Sequence, residues 1–407
     1  MKRVMIAAAA IIMGLMLAAC DVVDGLIEGI GEVGSESTLV LSDEPLVIGF
    51  IYAGSVNDGG YTQMHHDGTL ELQSAYGDSV ECIWLENIDD TNTQAVEDAA
   101  KQLIEQGAVV VFGTSAGYGA PLFELAESGR YNDIMFMQFS GSDMNGHNFS
   151  NYFGAMEEPR YLSGIIAGMQ TESNKLGYVA TFPDTEVLIG INAFALGAQS
   201  VNPEAAVSVV YTNSRYDPEA ERSAAEFLLE EGCDVIAQHV DSPGPQLAAA
   251  EAGAFSIGYN RDTSGLEGLE ETYLTAPIWH QGAFLIRSVG RVMDGVWEPE
   301  SYYGDMHERY IALAPLTGNV SGEARAMVED VEAAIMDRNF PIFRGPIFDN
   351  QEVFQEEGQE DEQIVGIPVV AEGVSLDRAA IWRIDYLVRG VTVIEMEIET
   401  EGEAEGE

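Results

Sequence analysis

The amino-acid sequence predicts an α/β fold of two similar lobes, each carrying a parallel sheet, that face one another across a cleft. The first observation behind this is an internal duplication. Asn92 to Ser128 lies over Asp217 to Gly253 without a gap, with Gly107 and Gly232 at matching positions 125 residues apart. The second is the alternation of short apolar runs with segments of helical periodicity, which implies parallel strands joined by right-handed crossovers. The third is that both copies are preceded by the same kind of start, a strand leading through a polar turn into a helix. In such sheets ligands gather at the loops beyond the carboxyl ends of the strands, so two facing lobes suit capture by domain closure.

Taken in order, Leu46-Val47-Ile48-Gly49-Phe50-Ile51 reads as the opening strand. It leads through Asn57-Asp58-Gly59-Gly60 into a helix whose Met64, Gly68, Leu72 and Ala75 share a face. Val96, Ala99, Ala100, Leu103 and Ile104 then recur at helical spacing, Gly107 suits the stop, and Ala108 to Phe112 reads as a buried strand. In the second copy Lys175 to Val179 is the opening strand, Phe182-Pro183-Asp184 the turn, and a helix covers roughly Glu186 to Gly197. Asp217-Pro218 supplies an N-cap with proline at the first helical position, Ala224, Phe227 and Leu228 form the apolar face, and Gly232 precedes the strand Val235-Ile236-Ala237. The loops Gly113 to Ala120 and His239 to Gly244 each lead into a further helix.

Before the first strand, Met1-Lys2-Arg3, an apolar run from Val4 to Leu17, and Leu17-Ala18-Ala19-Cys20 adopt the order of a bacterial secretory signal, which assigns residues 1–19 to a cleaved leader. The run is shorter than the roughly 20 residues that span a bilayer. The residues around Cys20 resemble the lipobox of bacterial lipoproteins, in which small residues admit a peptidase and the thiol carries a diacylglyceryl group. Lipidation at Cys20 would give stable attachment to a membrane. From Asp21 to Glu44 the chain is rich in Gly, Ser, Asp and Glu without sustained period, so residues 20–45 read as a lipidated cysteine and an acidic tether. Beyond the tether lie about 300 residues of core, enough for two domains.

The formal net charge is −50, from 68 acidic and 18 basic residues. Such an excess repels nucleic acid and anionic lipid and leaves no basic patch for a polyphosphate; it suits a well-solvated surface, including one adapted to salt. After Cys20 only Cys82 and Cys233 remain, with neither a CxxC pair nor metal-ligand spacing, and they fall in different lobes. Buried free thiols are expected, and neither a metal nor a cofactor.

Gly113-Thr114-Ser115-Ala116-Gly117 matches the nucleophile-elbow pattern, with His239 and His280 downstream, and so raises a serine hydrolase. Gly119 and Pro121 delay the helix that an elbow needs at its serine, and the second copy lacks the pattern; a polar ligand-contacting turn is the preferred reading. His65-His66-Asp67 lacks a further ligand at helical spacing and reads as a solvated helix start rather than a metal site. Trp279-His280 and Tyr302-Tyr303 read as core aromatics or as stacking platforms.

Four strings carry a family resemblance: Asn57-Asp58-Gly59-Gly60-Tyr61-Thr62-Gln63, Tyr152-Phe153-Gly154-Ala155-Met156-Glu157-Glu158-Pro159-Arg160-Tyr161-Leu162, Gly190-Ile191-Asn192-Ala193-Phe194 and Ile257-Gly258-Tyr259-Asn260. From about Leu46 to Asp349 the chain resembles the basic membrane protein (BMP) family, binding lipoproteins of ABC transporters that include purine nucleoside receptors. The resemblance implies a type I periplasmic-binding-protein fold of two Rossmann-like lobes. It places lobe I at 46–155 plus about 276–305, lobe II at 156–275 plus about 306–349, and crossings near Gly154 to Glu158, Thr275 to Trp279 and Ser301 to Pro315. Residues 350–407 form an acidic extension outside the family pattern, disordered or an accessory strand pair.

By the same resemblance, Tyr61 holds the position that stacks on a base, with Asn57, Asp58 and Thr62 in its loop and Ser115 and Tyr118 in the next. Arg215 or Tyr216 would oppose it from the other lobe. Nucleoside-binding members have an aspartate where this chain has Asn260 and a lysine where it has Trp279, which moves the expected ligand toward a free nucleobase, with Asp241 and Asp262 as further acceptors. The implied protein is a monomeric, extracytoplasmic, lipid-anchored solute-binding protein of an ABC importer. It would bind a purine-type nucleobase or nucleoside and deliver it to a permease. A sensory or adhesive surface lipoprotein on the same fold is the alternative, and a hydrolase using Ser115 the third reading.

Overall fold

The computed structural model describes residues 44–351 and 366–396; the leader, Cys20 and nearly all of the tether lie outside the described residues. The chain runs β1 (Leu46–Ile51), β2 (Val80–Leu85), β3 (Val110–Gly113), β4 (Met135–Phe139), β5 (Phe149–Gly154), β6 (Lys175–Ala180), β7 (Ala206–Tyr211) and β8 (Val235–His239). It continues with β9 (Phe255–Ile257), β10 (Tyr273–Thr275), β11 (Pro277–Trp279), β12 (Ser301–Gly304), β13 (Ile311–Leu313), β14 (Ile347–Phe348), β15 (Pro368–Val370) and β16 (Val391–Val393).

Two six-stranded sheets result, in the orders β12-β5-β4-β3-β1-β2 and β10-β9-β8-β6-β7-β16. Every pairing in both is parallel. In each sheet the opening strand lies between its two successors, β2-β1-β3 in one and β7-β6-β8 in the other, so the duplication in sequence is a duplication in topology.

Local chemistry repeats as well. Asn92 and Asp217 cap the helices Thr93–Glu105 and Pro218–Glu230 by accepting from the amides three residues on, Ala95 at 3.2 Å and Ala220 at 3.1 Å. Both helices are followed by a glycine in the left-handed region, Gly107 at φ 102° and Gly232 at φ 90°, which turns the chain into β3 and β8. Those strands are buried along their whole length, as expected of parallel strands covered on both faces.

The chain passes between the sheets three times. It leaves β5 for the helix Glu157–Gln170 and β6, and returns through β11 to the helix Gln281–Met293, which packs on Tyr61–Tyr76. It then leaves β12 through β13, antiparallel to β11, for the helix Gly322–Met336, which packs on Glu157–Gln170. Cys82 and Cys233 are free thiols.

The helix start at His65 is not solvated, contrary to the sequence reading. His65 is 3% exposed, edge-on to Tyr61 at 4.8 Å and Phe139 at 4.7 Å, and burial pushes its pKa down to about 3. The helix Tyr61–Tyr76 lies between the sheet and Gln281–Met293, which two adjacent histidines cannot reveal by spacing. Part of the acidic extension is ordered structure: β15 pairs antiparallel with β14, and β16 adds in parallel to β7 at the edge of the second sheet.

Candidate functional site

A cleft of about 670 Å³ opens between the carboxyl ends of the two sheets. The carboxyl ends of β1, β2, β3 and β4 and the segments that follow them bring Asn57, Asp58, Tyr61, Thr62, Asp89, Asp90, Ser115 and Phe139 to one wall. The carboxyl ends of β6, β7, β8 and β9 and the segments that follow them bring Asp184, Glu186, Arg215, Tyr216, His239, Asp241 and Tyr259 to the other. Trp382, from the C-terminal segment, completes the lining.

The first loop is organised by Asp58. Its carboxylate accepts from the amides of Gly60 at 2.9 Å, Thr62 at 2.7 Å and Gln63 at 3.0 Å, holding the start of the helix Tyr61–Tyr76 over the cleft. Gly59 sits at φ 82°, a conformation that favours glycine. Gly60 lies so close to the opposite lobe that a Cβ there would fall 1.6 Å from the carbonyl oxygen of Asp241. Tyr61 donates its hydroxyl to the Thr114 carbonyl, and the Thr62 hydroxyl accepts from the Gly54 amide at 3.2 Å.

Ser115 has an extended backbone, φ −129° and ψ 151°, rather than the strained turn of a nucleophile elbow, and its hydroxyl is donated to the Asp90 carboxylate rather than to a histidine. Gln138 donates to the Ser115 and Ala116 carbonyls at 3.3 Å each, pinning this loop from below; Gln238 does the same in the second lobe, donating to Val240 and Ser242 at 2.9 Å each.

On the second wall Tyr216 is half exposed, and the Arg215 guanidinium lies 5.8 Å from the centre of the Phe182 ring. Asp241 is pushed well above the usual carboxylate range by burial and by the charges of Glu221 and Asp58, against the hydrogen bond donated by Asn260 at 3.0 Å. The His239 ring packs tilted against Tyr259 at 4.6 Å, with Glu186 3.7 Å from its Nε2, and Tyr259 in turn covers the guanidinium of Arg160 at 3.8 Å. Burial and the Arg160 charge lower the His239 pKa, so the imidazole is neutral at pH 7.

Of the residues singled out in the sequence, Asn57, Asp58, Tyr61, Thr62, Ser115, Arg215, Tyr216 and Asp241 are brought together on the cleft. Tyr118, Asn260, Asp262 and Trp279 are not among its lining residues. Tyr118 is buried with its hydroxyl turned to the Ile88 carbonyl at 2.7 Å. Asn260, at φ 69° and fully buried, orients Asp241 from behind. Asp262 is exposed and accepts from the Ser264 amide at 2.9 Å. Trp279 is 6% exposed among Phe139, Phe153 and Tyr310, so it fills core rather than ligand space. Conversely, Glu186, His239, Tyr259 and Trp382 line the cleft although no sequence pattern marks them as ligand contacts. His239 stands out in the sequence only as a possible triad member, and Tyr259 only inside the Ile257-Gly258-Tyr259-Asn260 string.

Six of the lining side chains named above are carboxyl groups, Asp58, Asp89, Asp90, Asp184, Glu186 and Asp241, the last biased toward its protonated form, against the single guanidinium of Arg215. With aromatic faces beside them, they suit an uncharged or cationic ligand rich in N–H or O–H donors and repel an anionic one. Among the described residues no group of three or more His, Cys, Asp or Glu is placed to hold a metal, and no helix is long and apolar enough to cross a membrane.

Two parallel α/β lobes, three crossings and a cleft at the strand ends define a binding protein of the type I periplasmic class. Solved structures agree on the fold: ABC transporter solute-binding proteins from Aeropyrum pernix (TM-score 0.62, 16% identity, covering 77% of this chain and 94% of that one) and Conexibacter woesei (TM-score 0.61, 19% identity, 72% and 97%) superpose on it. Residues 46–342 match the model of the Bmp family, ABC transporter substrate-binding protein PnrA-like, and the chain belongs to that family. It is 36% identical over 313 residues to a Haloferax volcanii protein named as a putative ABC transporter glucose-binding protein, covering 75% of this chain and 77% of that one. It is 33% identical over 336 residues to a purine-binding protein of Brucella abortus, covering 82% and 94%. The family consists of extracytoplasmic substrate-binding proteins of ABC transporters, not enzymes.

Proposed function

We propose that the protein is a lipid-anchored receptor that captures a purine-type nucleobase or nucleoside in the interlobe cleft and presents it to the permease of an ABC importer. The observation that carries the reading is the cleft lining: Tyr61 and Tyr216 bring aromatic rings to it, and the surrounding carboxylates accept from the N–H edge of a planar heterocycle. The purine-binding relative points the same way. Phosphorylated forms would meet repulsion from the same carboxylates.

The glucose-binding relative favours a second reading, a hexose held by carboxylates and a ring face. A thermal-shift panel of bases, nucleosides, sugars and amino acids separates the two. Stabilisation by bases or nucleosides supports the purine reading, and stabilisation by sugars alone sinks it. The anchor is tested by Cys20→Ser, which should move the protein from the membrane fraction to the soluble one. Co-purification with a permease would favour transport over a sensory or adhesive role.

A further inference from the structure

The segment from Pro368 to Val393 lies beyond the residues matched by the family, yet it reaches the cleft. Its anchorage is to the second lobe. β16 extends the sheet beside β7, with Val391 opposite Val207 and Val393 opposite Val209. The fully buried Asn192 donates to the Tyr386 carbonyl at 2.8 Å and accepts from the Val388 amide at 2.9 Å, so both ends of one amide are used to hold the segment. Ile384, Val388 and Val391 are almost wholly buried in the core.

From that anchorage Trp382 extends to the strands of the first lobe. Its ring meets Phe153 of β5 at 5.6 Å, and its indole N–H donates to the Tyr303 hydroxyl of β12 at 3.3 Å. Arg378, one turn earlier, covers the Tyr303 ring at 4.4 Å. On its other side Trp382 stands between two spaces. Together with Glu186 and His239 it lines both the cleft of about 670 Å³ and a recess of about 10 Å³ that runs back to Gly154 and Glu157 at the first crossing.

We propose that the C-terminal strap is a component of the ligand site, and that Trp382 is a specificity-determining wall that closes the cleft at the crossing strands and sets how far a ligand can extend in that direction. The proposal rests on the purine reading only for its choice of probes. Length selection should appear in whichever ligand series the protein binds.

The test compares the full chain with Trp382→Ala and the milder Trp382→Leu, measuring dissociation constants for adenine and adenosine and, in parallel, for D-glucose and maltose. Removing the ring joins cleft to recess, so adenosine should gain on adenine by about tenfold in the alanine variant and by less in the leucine variant, the scale expected when a pocket wall is cut back. If the wild type takes glucose and neither purine, the purine reading fails while the wall is judged by maltose gaining on glucose by the same factor. A long-to-short ratio unchanged in both folded variants overturns the role given to Trp382.

Discussion

Replacing Glu157 with glutamine should remove a pH dependence of folding that burial builds into the first crossing. Glu157 is 7% exposed, and its pKa is pushed up from 4.5 to about 8, first by burial and then by the charge of Glu158, against Arg378 and the Tyr303 hydroxyl 3.4 Å away. A carboxyl raised in the folded state keeps its proton while the unfolded chain loses it, so stability falls as pH rises from about 4.5 and levels off above about 8. At about 1.4 kcal/mol per pH unit, that window sets a ceiling of about 5 kcal/mol; relaxation around a charged Glu157 brings the expected effect to about 2–3 kcal/mol. Glu158, raised to about 7, titrates in both proteins, so its own burial cancels in the difference and only its repulsion of Glu157 remains in it. Urea unfolding of the wild type and Glu157→Gln should give similar stabilities near pH 4.5 and a widening advantage for the variant toward pH 8. Curves that stay parallel across this range would refute the reasoning, because Glu157 would then ionise as freely folded as unfolded.

Gly60→Ala sets a Cβ against the Asp241 carbonyl and should hold the lobes apart, lowering ligand affinity at least about tenfold while each lobe keeps its secondary structure; small-angle scattering with and without ligand reads the failure to close. Tyr61→Ala should weaken a purine ligand by about 1–3 kcal/mol, the worth of one ring stacked on a base, measured by titration calorimetry. Asn192→Ala strands two backbone groups of the strap and should cost about 1–3 kcal/mol in urea unfolding, with protease sensitivity appearing first near Tyr386.

The fold was legible because it is periodic and repeated. A helix stop at Gly107 and again at Gly232, each before an apolar run, is a pattern that only a pair of similar α/β units produces. The first wall of the cleft was legible for a related reason, since a loop after a parallel strand faces the ligand whatever its side chains are. Side-chain direction was not. Tyr118 lies in such a loop, yet its ring turns inward and its hydroxyl serves Ile88. Trp279 sits at a crossing, where sequence cannot distinguish a wall from a core residue. Asn260 acts through Asp241, at one remove from the cleft. His239 at the end of β8, Glu186 in the first turn of a helix and Tyr259 in the loop after β9 are single residues far apart in sequence, and only their convergence near Arg160 shows what they form. Trp382 was the least visible, because it stands in an acidic extension far along the chain from every other lining residue and reaches the cleft only through the packing of Asn192 and β16.

The central claim is tested most directly by titrating adenine, adenosine and D-glucose into the full chain in a calorimeter, beside Tyr61→Ala. The account predicts saturable heat with at least one of the two purine ligands, weakened by the substitution, and none with glucose. Heat with glucose alone, or purine heat that Tyr61→Ala leaves unchanged, would contradict it.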